Sequence, residues 1–164
     1  MCQEKHSQVL GVRRADRSDI VSLLRLNHQL GLTHFNNAPE AFVQPSDAEK
    51  DFLLTALDET DRVFLVAEVA GDIVGFVTAK ITRNESIPFL ISSPICRVGT
   101  LVVDEASIGY GIGRKLMSHC HDWAISQGAE QIRLEVMSFN ENAERFYKEL
   151  GYKDQSKTLW KPVE

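Results

Sequence analysis

The chain has 164 residues, 43% of them hydrophobic and 25% charged, the balance of a globular domain rather than a disordered or fibrous one. Acidic side chains outnumber basic ones by 23 to 18, a formal net charge of −5. That sign argues against a nucleic-acid-binding surface, but not against a local anion pocket built from backbone amides and a few cations. Cys2, Cys96 and Cys120 are odd in number and widely spaced, which argues against a disulfide framework or a zinc site. No apolar run approaches a bilayer span and none near Met1 reads as a signal peptide, so the expected setting is cytoplasmic, without a membrane partner.

In chain order, Val9 to Arg14 reads as a first strand. Ser18 can cap a helix whose apolar positions Ile20, Leu23, Leu24 and Leu30 recur at helical spacing. Ser46 with Glu49 three residues on is a capping-box signature for a second helix through Phe52, Leu53 and Leu57. Arg62 to Val69 and Ile73 to Ile81 are β-rich and joined through Ala70-Gly71-Asp72, a hairpin signal. Pro88 and Pro94 keep the segment from Thr82 to Ile95 irregular; its apolar part, Ile87 to Ile91, can line a site, meet a second copy or cover the core. Arg97 to Val103 is a fourth strand. A third helix follows, with Ile112, Leu116, Cys120, Trp123 and Ala124 on one face, ending near Gly128. Gln131 to Val136 alternates as a fifth strand, Asn140 to Leu150 is a last helix stopped by Gly151, and Lys157 to Lys161 is read as a closing strand. The order β-α-α-β-β-β-α-β-α-β implies one α/β (α+β) domain over residues 1–164, built on a single central sheet.

The segment richest in chemistry is Gly109-Tyr110-Gly111-Ile112-Gly113-Arg114-Lys115, between the fourth strand and the third helix. Alternating glycines let a backbone turn tightly and approach a ligand, and N–H groups at a helix N-terminus suit a pyrophosphate. It is not a Walker loop, because Gly113 is followed by Arg114-Lys115-Leu116. Nor is it a dinucleotide fingerprint, because Arg114 stands where the third glycine is needed. His119-Cys120-His121 is no metal site on this reading, since adjacent helical residues point to different faces; no metal is expected.

Downstream stands Asn140-Glu141-Asn142-Ala143-Glu144-Arg145-Phe146-Tyr147, then Gly151-Tyr152. Together with Gly111-Ile112-Gly113 after an apolar strand, this run resembles the GCN5-related N-acetyltransferase family, over nearly all the chain after Val9. The resemblance implies a mixed, mostly antiparallel sheet flanked by helices, and acetyl-CoA as co-substrate. It implies that Leu101, Val102 and Val103 lie beside the acetyl and pantetheine portions, on backbone groups freed by a bulge. Gly109, Tyr110, Gly111, Ile112, Gly113 and Arg114 would hold the pyrophosphate, and Asn140 the pantetheine arm. Tyr147 would be the general acid on the leaving thiolate, its phenol being protonated at neutral pH with an ordinary pKa of about 10. A homodimer is also implied.

Where the family usually has Arg or Gln, three residues before the first glycine of its pair, this chain has Ile108. Losing that donor weakens phosphate binding by ~1–3 kcal/mol unless it is replaced. The base is unassigned: Glu135 is the leading candidate, with Glu68, His28, His34 or a water chain as alternatives, because Arg97 stands where some relatives carry Glu. The expected acceptor is an amine on a small molecule or on a protein. The rival reading is a non-catalytic acyl-CoA-binding or interaction module of the same fold, which Ile108 and the unassigned base both favour.

Overall fold

The structure, a computed structural model, describes residues 10–164. Val9, where the first strand is expected to begin, and Cys2 lie outside them. Five strands form one sheet in the order β1 (Gly11–Arg14), β2 (Arg62–Val69), β3 (Asp72–Thr82), β4 (Ile95–Val103) and β5 (Gln131–Arg133). The first three junctions are antiparallel and the last is parallel. The helices are α1 (Ile20–Asn37), α2 (Ala48–Leu57), α3 (Ile112–Ser126) and α4 (Glu141–Glu149).

Both faces of the sheet are covered, which is why β2 and β3 read as nearly unbroken apolar runs rather than strict alternations. On one face Leu23 and Leu26 of α1 and Leu53 and Ala56 of α2 close over Phe64, Val66 and Phe76. On the other, Ile112, Leu116, Met117, Cys120 and Ala124 of α3 close over Leu65, Val77, Ala79 and Cys96. The β2–β3 hairpin turns through Ala70 (φ 54°) and Gly71 (φ 82°), positive at both central positions as a two-residue hairpin of this twist requires.

Several expected details differ. Asp16 and Asp19 cap the start of the first helical region in place of Ser18: the Ser18 N–H donates to Asp16 Oδ1 (2.8 Å) and the Asp16 N–H to Asp19 Oδ2 (2.9 Å). Half of the reading at Ser46 is present, its N–H donating to Glu49 Oε2 at 2.9 Å. Phe52 is 69% exposed, so the buried stripe of α2 runs through Leu53 and Ala56. β4 starts two residues early, at Ile95, and β5 stops three residues short of Val136. The closing strand at 157–161 does not form: residues 153–164 lie outside any helix or strand, with Leu159 90% exposed. A strand needs a ladder partner, and the chain does not bring this segment to one. No helix among the described residues is long and apolar enough to cross a membrane.

Candidate active site

The site begins where the sheet comes apart. β4 pairs with β5 only at Ile95–Gln131, Cys96–Ile132 and Arg97–Arg133. Its pairing with β3 continues to Val103, but shifts register between Thr78 and Ala79, leaving Gly99 as the extra residue on β4. Such a bulge bends a strand and increases its twist. Beyond it, residues 98–103 have β3 on one side and no β5 on the other. Leu101, Val102 and Val103 therefore lie on a strand segment with one open edge, whose alternate N–H and C=O groups face the gap. The freed backbone expected there is present, with its cause two residues upstream at Gly99.

At the end of that open edge stands the N-terminus of α3. Gly109 (φ 91°) and Gly111 (φ 76°) occupy the left-handed region, where a Cβ is strained. Gly111 is the N-cap residue and supplies no side-chain cap. The first bond of the helix runs from the Lys115 N–H to the Gly111 carbonyl (3.1 Å), so the amides of Ile112, Gly113 and Arg114 precede the helical ladder. Ile112 is buried on the core side, and Tyr110 is half exposed. Ile108 is extended and 65% exposed, an apolar side chain at the rim. Arg114 stands at the surface 3.8 Å from Glu149. Lys115, the next cation along the chain, donates to the Leu10 carbonyl at 2.5 Å and is drawn toward the start of β1.

The loop is tied to α1, which local sequence gave no means of reading, since the partners lie far apart along the chain. Arg25 pairs with Asp104 (2.5 Å) and donates to the Ile73 carbonyl (3.0 Å), while the Glu105 N–H donates to Gln29 (3.2 Å). Burial pushes the Asp104 carboxyl up, but the Ala106 N–H and Arg25 outweigh it and hold the group below its ordinary range. Beside this tether is a hollow of about 670 Å³ lined by Arg13, Asp19, Arg25, Glu68 and Asp104 among others. Arg13 bridges Asp19 (2.8 Å) and Glu68 (2.7 Å) there. The hollow's charges thus satisfy one another and brace the loop from the α1 face.

α4 supplies the second wall. Asn140 is its N-cap, with Oδ1 accepting from the Ala143 N–H at 3.1 Å; the amide NH₂ is its remaining donor. A Cβ on Gly113 would meet the Phe146 ring at 3.4 Å, about ordinary contact distance, which places α4 against the first turn of α3. Tyr147 follows Phe146, with ring centroids 5.1 Å apart, and meets Tyr152 edge-on at 5.6 Å. Burial first, then the proximity of Tyr152 and Cys120, raises the Tyr147 phenol well above its ordinary value. Tyr152 is pushed up to about 12, also mainly by burial. Beneath them lie the buried Cys96 and Cys120; the hydrogen bond to Cys96 and burial push the Cys120 thiol up, away from nucleophile chemistry.

The candidate bases are scattered. Glu135 is exposed and lies beyond the end of β5, not on the strand as expected. Glu68 is engaged by Arg13 on the α1 face of the hairpin end. His28 Nε2 lies 3.1 Å from the Ser46 carbonyl and 3.3 Å from Glu49. His34 reaches the site's second wall: its ring contacts Phe42 (4.7 Å) and Phe139 (5.7 Å), and Nδ1 lies 2.9 Å from the Leu30 carbonyl. Ile87, Phe89, Leu90 and Ile91 are exposed rather than covering the core. His119 and His121 are exposed while Cys120 is buried, so the three do not converge.

A split between a fourth and a fifth strand, leading to an uncapped glycine-bounded helix start, fits a cofactor arm ending in a diphosphate. A model of the acetyltransferase (GNAT) family matches residues 29–152, which span both walls of this split. The chain belongs to the GNAT family. This acetyltransferase is 28% identical to the uncharacterized N-acetyltransferase YhfO of Bacillus subtilis over 153 residues, 90% of the chain and 92% of the relative. Its fold matches that of a mutant of the BH1408 protein from Bacillus halodurans with a TM-score of 0.87 at 23% identity, covering 93% and 99% of the two chains. It also matches the aminoglycoside N-acetyltransferase AAC(6')-Iy in complex with CoA, with a TM-score of 0.76 at 17% identity over 94% and 95%. The GNAT chain is thus an acetyl-CoA-dependent acyltransferase by family.

Proposed function

We propose that this acetyltransferase moves an acetyl group from acetyl-CoA directly to a primary amine, with no acyl-enzyme, and that Tyr147 is the general acid. The observation that carries the reading is the juxtaposition of three features around one split in the sheet. These are the open edge of β4 at residues 98–103, the amides of Ile112, Gly113 and Arg114 ahead of the α3 ladder, and the protonated phenol of Tyr147 on α4.

The diphosphate sits against the α3 amides and helix dipole, with Arg114 as the cation of the loop and backbone donors doing most of the holding. The open β4 edge at Leu101, Val102 and Val103 pairs with the amides of the pantetheine arm as an added strand would, and the Asn140 NH₂ donates to the same arm. A β4 N–H polarises the thioester carbonyl and stabilises the oxyanion as the amine adds. The neutral amine attacks the carbonyl carbon, a C–N bond forms, and the C–S electron pair leaves with sulfur. Tyr147 gives its proton to that thiolate; the tyrosinate then takes the proton from the nitrogen, which restores the phenol. A thiol has an ordinary pKa near 8.5, below that of Tyr147, so the transfer succeeds only when coupled to loss of the nitrogen's proton.

An amine acceptor is supported by a fold neighbour that is an aminoglycoside N-acetyltransferase. The test is release of free thiol from acetyl-CoA across a panel of small-molecule and peptide amines. Tyr147→Phe is expected to lower kcat by about 10²–10⁴-fold while calorimetric binding of CoA is unchanged. A variant with undiminished kcat would remove Tyr147 from the mechanism, and CoA binding without turnover on any amine would remove the proposed transfer.

A further inference from the structure

We propose that the hollow beside the Arg25–Asp104 tether is a second ligand site, shaped for a short aliphatic ammonium compound, and that its occupant braces the turn leading into the glycine loop. The site itself is independent of the catalytic reading; its effect on the loop rests on CoA being held at the start of α3. At about 670 Å³ the hollow has the size of a small-molecule pocket. Its walls come from β1 through Arg13, from α1 through Ser22 and Arg25, from the β2–β3 hairpin through Glu68 and Ile73, and from the turn after β4 through Ser107. Ser22 and Arg25, three residues apart, share one face of α1.

The ion pairs fix these walls without filling every polar group. Arg13 donates twice to Asp19 and once to Glu68, and Arg25 donates to Asp104 and to the Ile73 carbonyl. Asp104 also accepts from the Ala106 N–H at 3.1 Å. Glu68, by contrast, is engaged only at Oε1, so its Oε2 has no donor among the described residues. Ser107 lines the hollow, is 6% exposed, and its hydroxyl has no partner among the described residues. No fully enclosed side-chain oxygen or nitrogen among those residues lacks a partner, so the Ser107 hydroxyl is reached from the hollow rather than sealed in the core. A nearly buried hydroxyl without a partner is costly, and a ligand that bonds to it removes that cost.

Charge sets the chemistry of the occupant. Asp19, Glu68 and Asp104 outnumber Arg13 and Arg25 even before Asp72 is counted, and the excess lies on the side where one guanidinium serves two acids. Anions are repelled from such a pocket, whereas an ammonium group at Glu68 Oε2 completes the pairing through a charge-assisted hydrogen bond. Val69, Val74 and Ala106 supply apolar wall for a short carbon chain, and the hydroxyls of Ser22 and Ser107 suit a second amine or a hydroxyl on it. The link to the loop runs through Ser107. Its N–H closes the turn onto the Asp104 carbonyl at 2.8 Å, and Ile108 and Gly109 follow directly. An occupant bonded to Ser107 holds that turn, so the α3 amides are in place before the coenzyme arrives. By linkage the two ligands then tighten one another by the same factor.

The experiment is calorimetry and amide NMR on the full chain titrated with 1,4-diaminobutane, with no acetyl donor present and butane-1,4-diol as the uncharged control. The expected result is one-to-one binding with a Kd below about 1 mM, amide shifts at 68–74 and 104–107, and much weaker binding of the diol. Glu68→Gln, which keeps the shape and removes the charge, should weaken the diamine about tenfold, and Ser107→Ala about threefold. Saturating diamine should tighten CoA about fivefold in the native chain, and Glu68→Gln should abolish that gain. The proposal is overturned if the diamine does not bind, if its shifts fall only at 134–147 on the wall of the split, if both variants bind it like the native chain, or if CoA affinity is unmoved. CoA that fails to bind with or without diamine, while the shifts at 68–74 and 104–107 persist, overturns the coenzyme reading and supports the site.

Discussion

Asp19 is 8% exposed and receives two hydrogen bonds from Arg13, at 2.8 and 2.9 Å, and one from the Asp16 N–H. The Arg13 hydrogen bond holds its carboxyl below the ordinary range. A carboxylate whose folded-state pKa is depressed adds stability that is complete above its unfolded value, about 3.9, and disappears as the pH falls through the folded value. Urea midpoints measured from pH 7 down to pH 2 should therefore fall more steeply for the native chain than for Asp19→Asn, which loses ~2 kcal/mol at pH 7. Gly111 is the second residue at which one side chain decides much. At φ 76° a Cβ costs ~1–2 kcal/mol, and relief of that strain would re-aim the α3 amides. Gly111→Ala should weaken CoA binding by calorimetry about tenfold while lowering the melting temperature by only a few degrees.

At the scale of an element, α4 combines two tasks in one residue. Asn140 caps the helix through Oδ1, and on the proposed reading its NH₂ holds the pantetheine arm. Asp in its place keeps the cap and removes the donor, whereas Ala removes both. Asn140→Asp should thus keep the melting temperature and raise the KM for acetyl-CoA, while Asn140→Ala should also lose ~1 kcal/mol of stability. Equal KM values for Asn140→Asp and the native chain would confine Asn140 to capping. β4 shows a different division. Its apolar pattern was legible, but the extra residue at Gly99 was not, because a bulge is defined by the partner strand.

At the scale of the molecule, the sheet separates two cores among the described residues, one on each face. Phe76 is fully buried on the α1 face and Leu116 fully buried on the α3 face. Phe76→Ala should cost ~3–5 kcal/mol and Leu116→Ala ~2–5 kcal/mol, each a large share of the 5–15 kcal/mol typical of a domain. Because the two sites share no layer, their losses should add in the double variant within about 0.5 kcal/mol. A large departure in urea midpoints would mean that the sheet couples the two faces. Arg25 is the long-range link that local patterns could not reveal: its bonds to Asp104 and the Ile73 carbonyl join elements distant in sequence.

Taken alone, the sequence determined the order of helices and strands as far as α4, the hairpin at Ala70-Gly71, the stripe on α3 and the glycine turn before it. All of these follow from local backbone preference and from the period at which apolar side chains recur. Tertiary structure decided where β4 and β5 part, which way Lys115 turns, that Asp16 rather than Ser18 caps the first helical region, and that residues 157–161 stay out of their own sheet. Each of those outcomes depends on which neighbour arrives to satisfy a backbone group or a charge, and the identity of that neighbour is not written within a few residues of the group it serves.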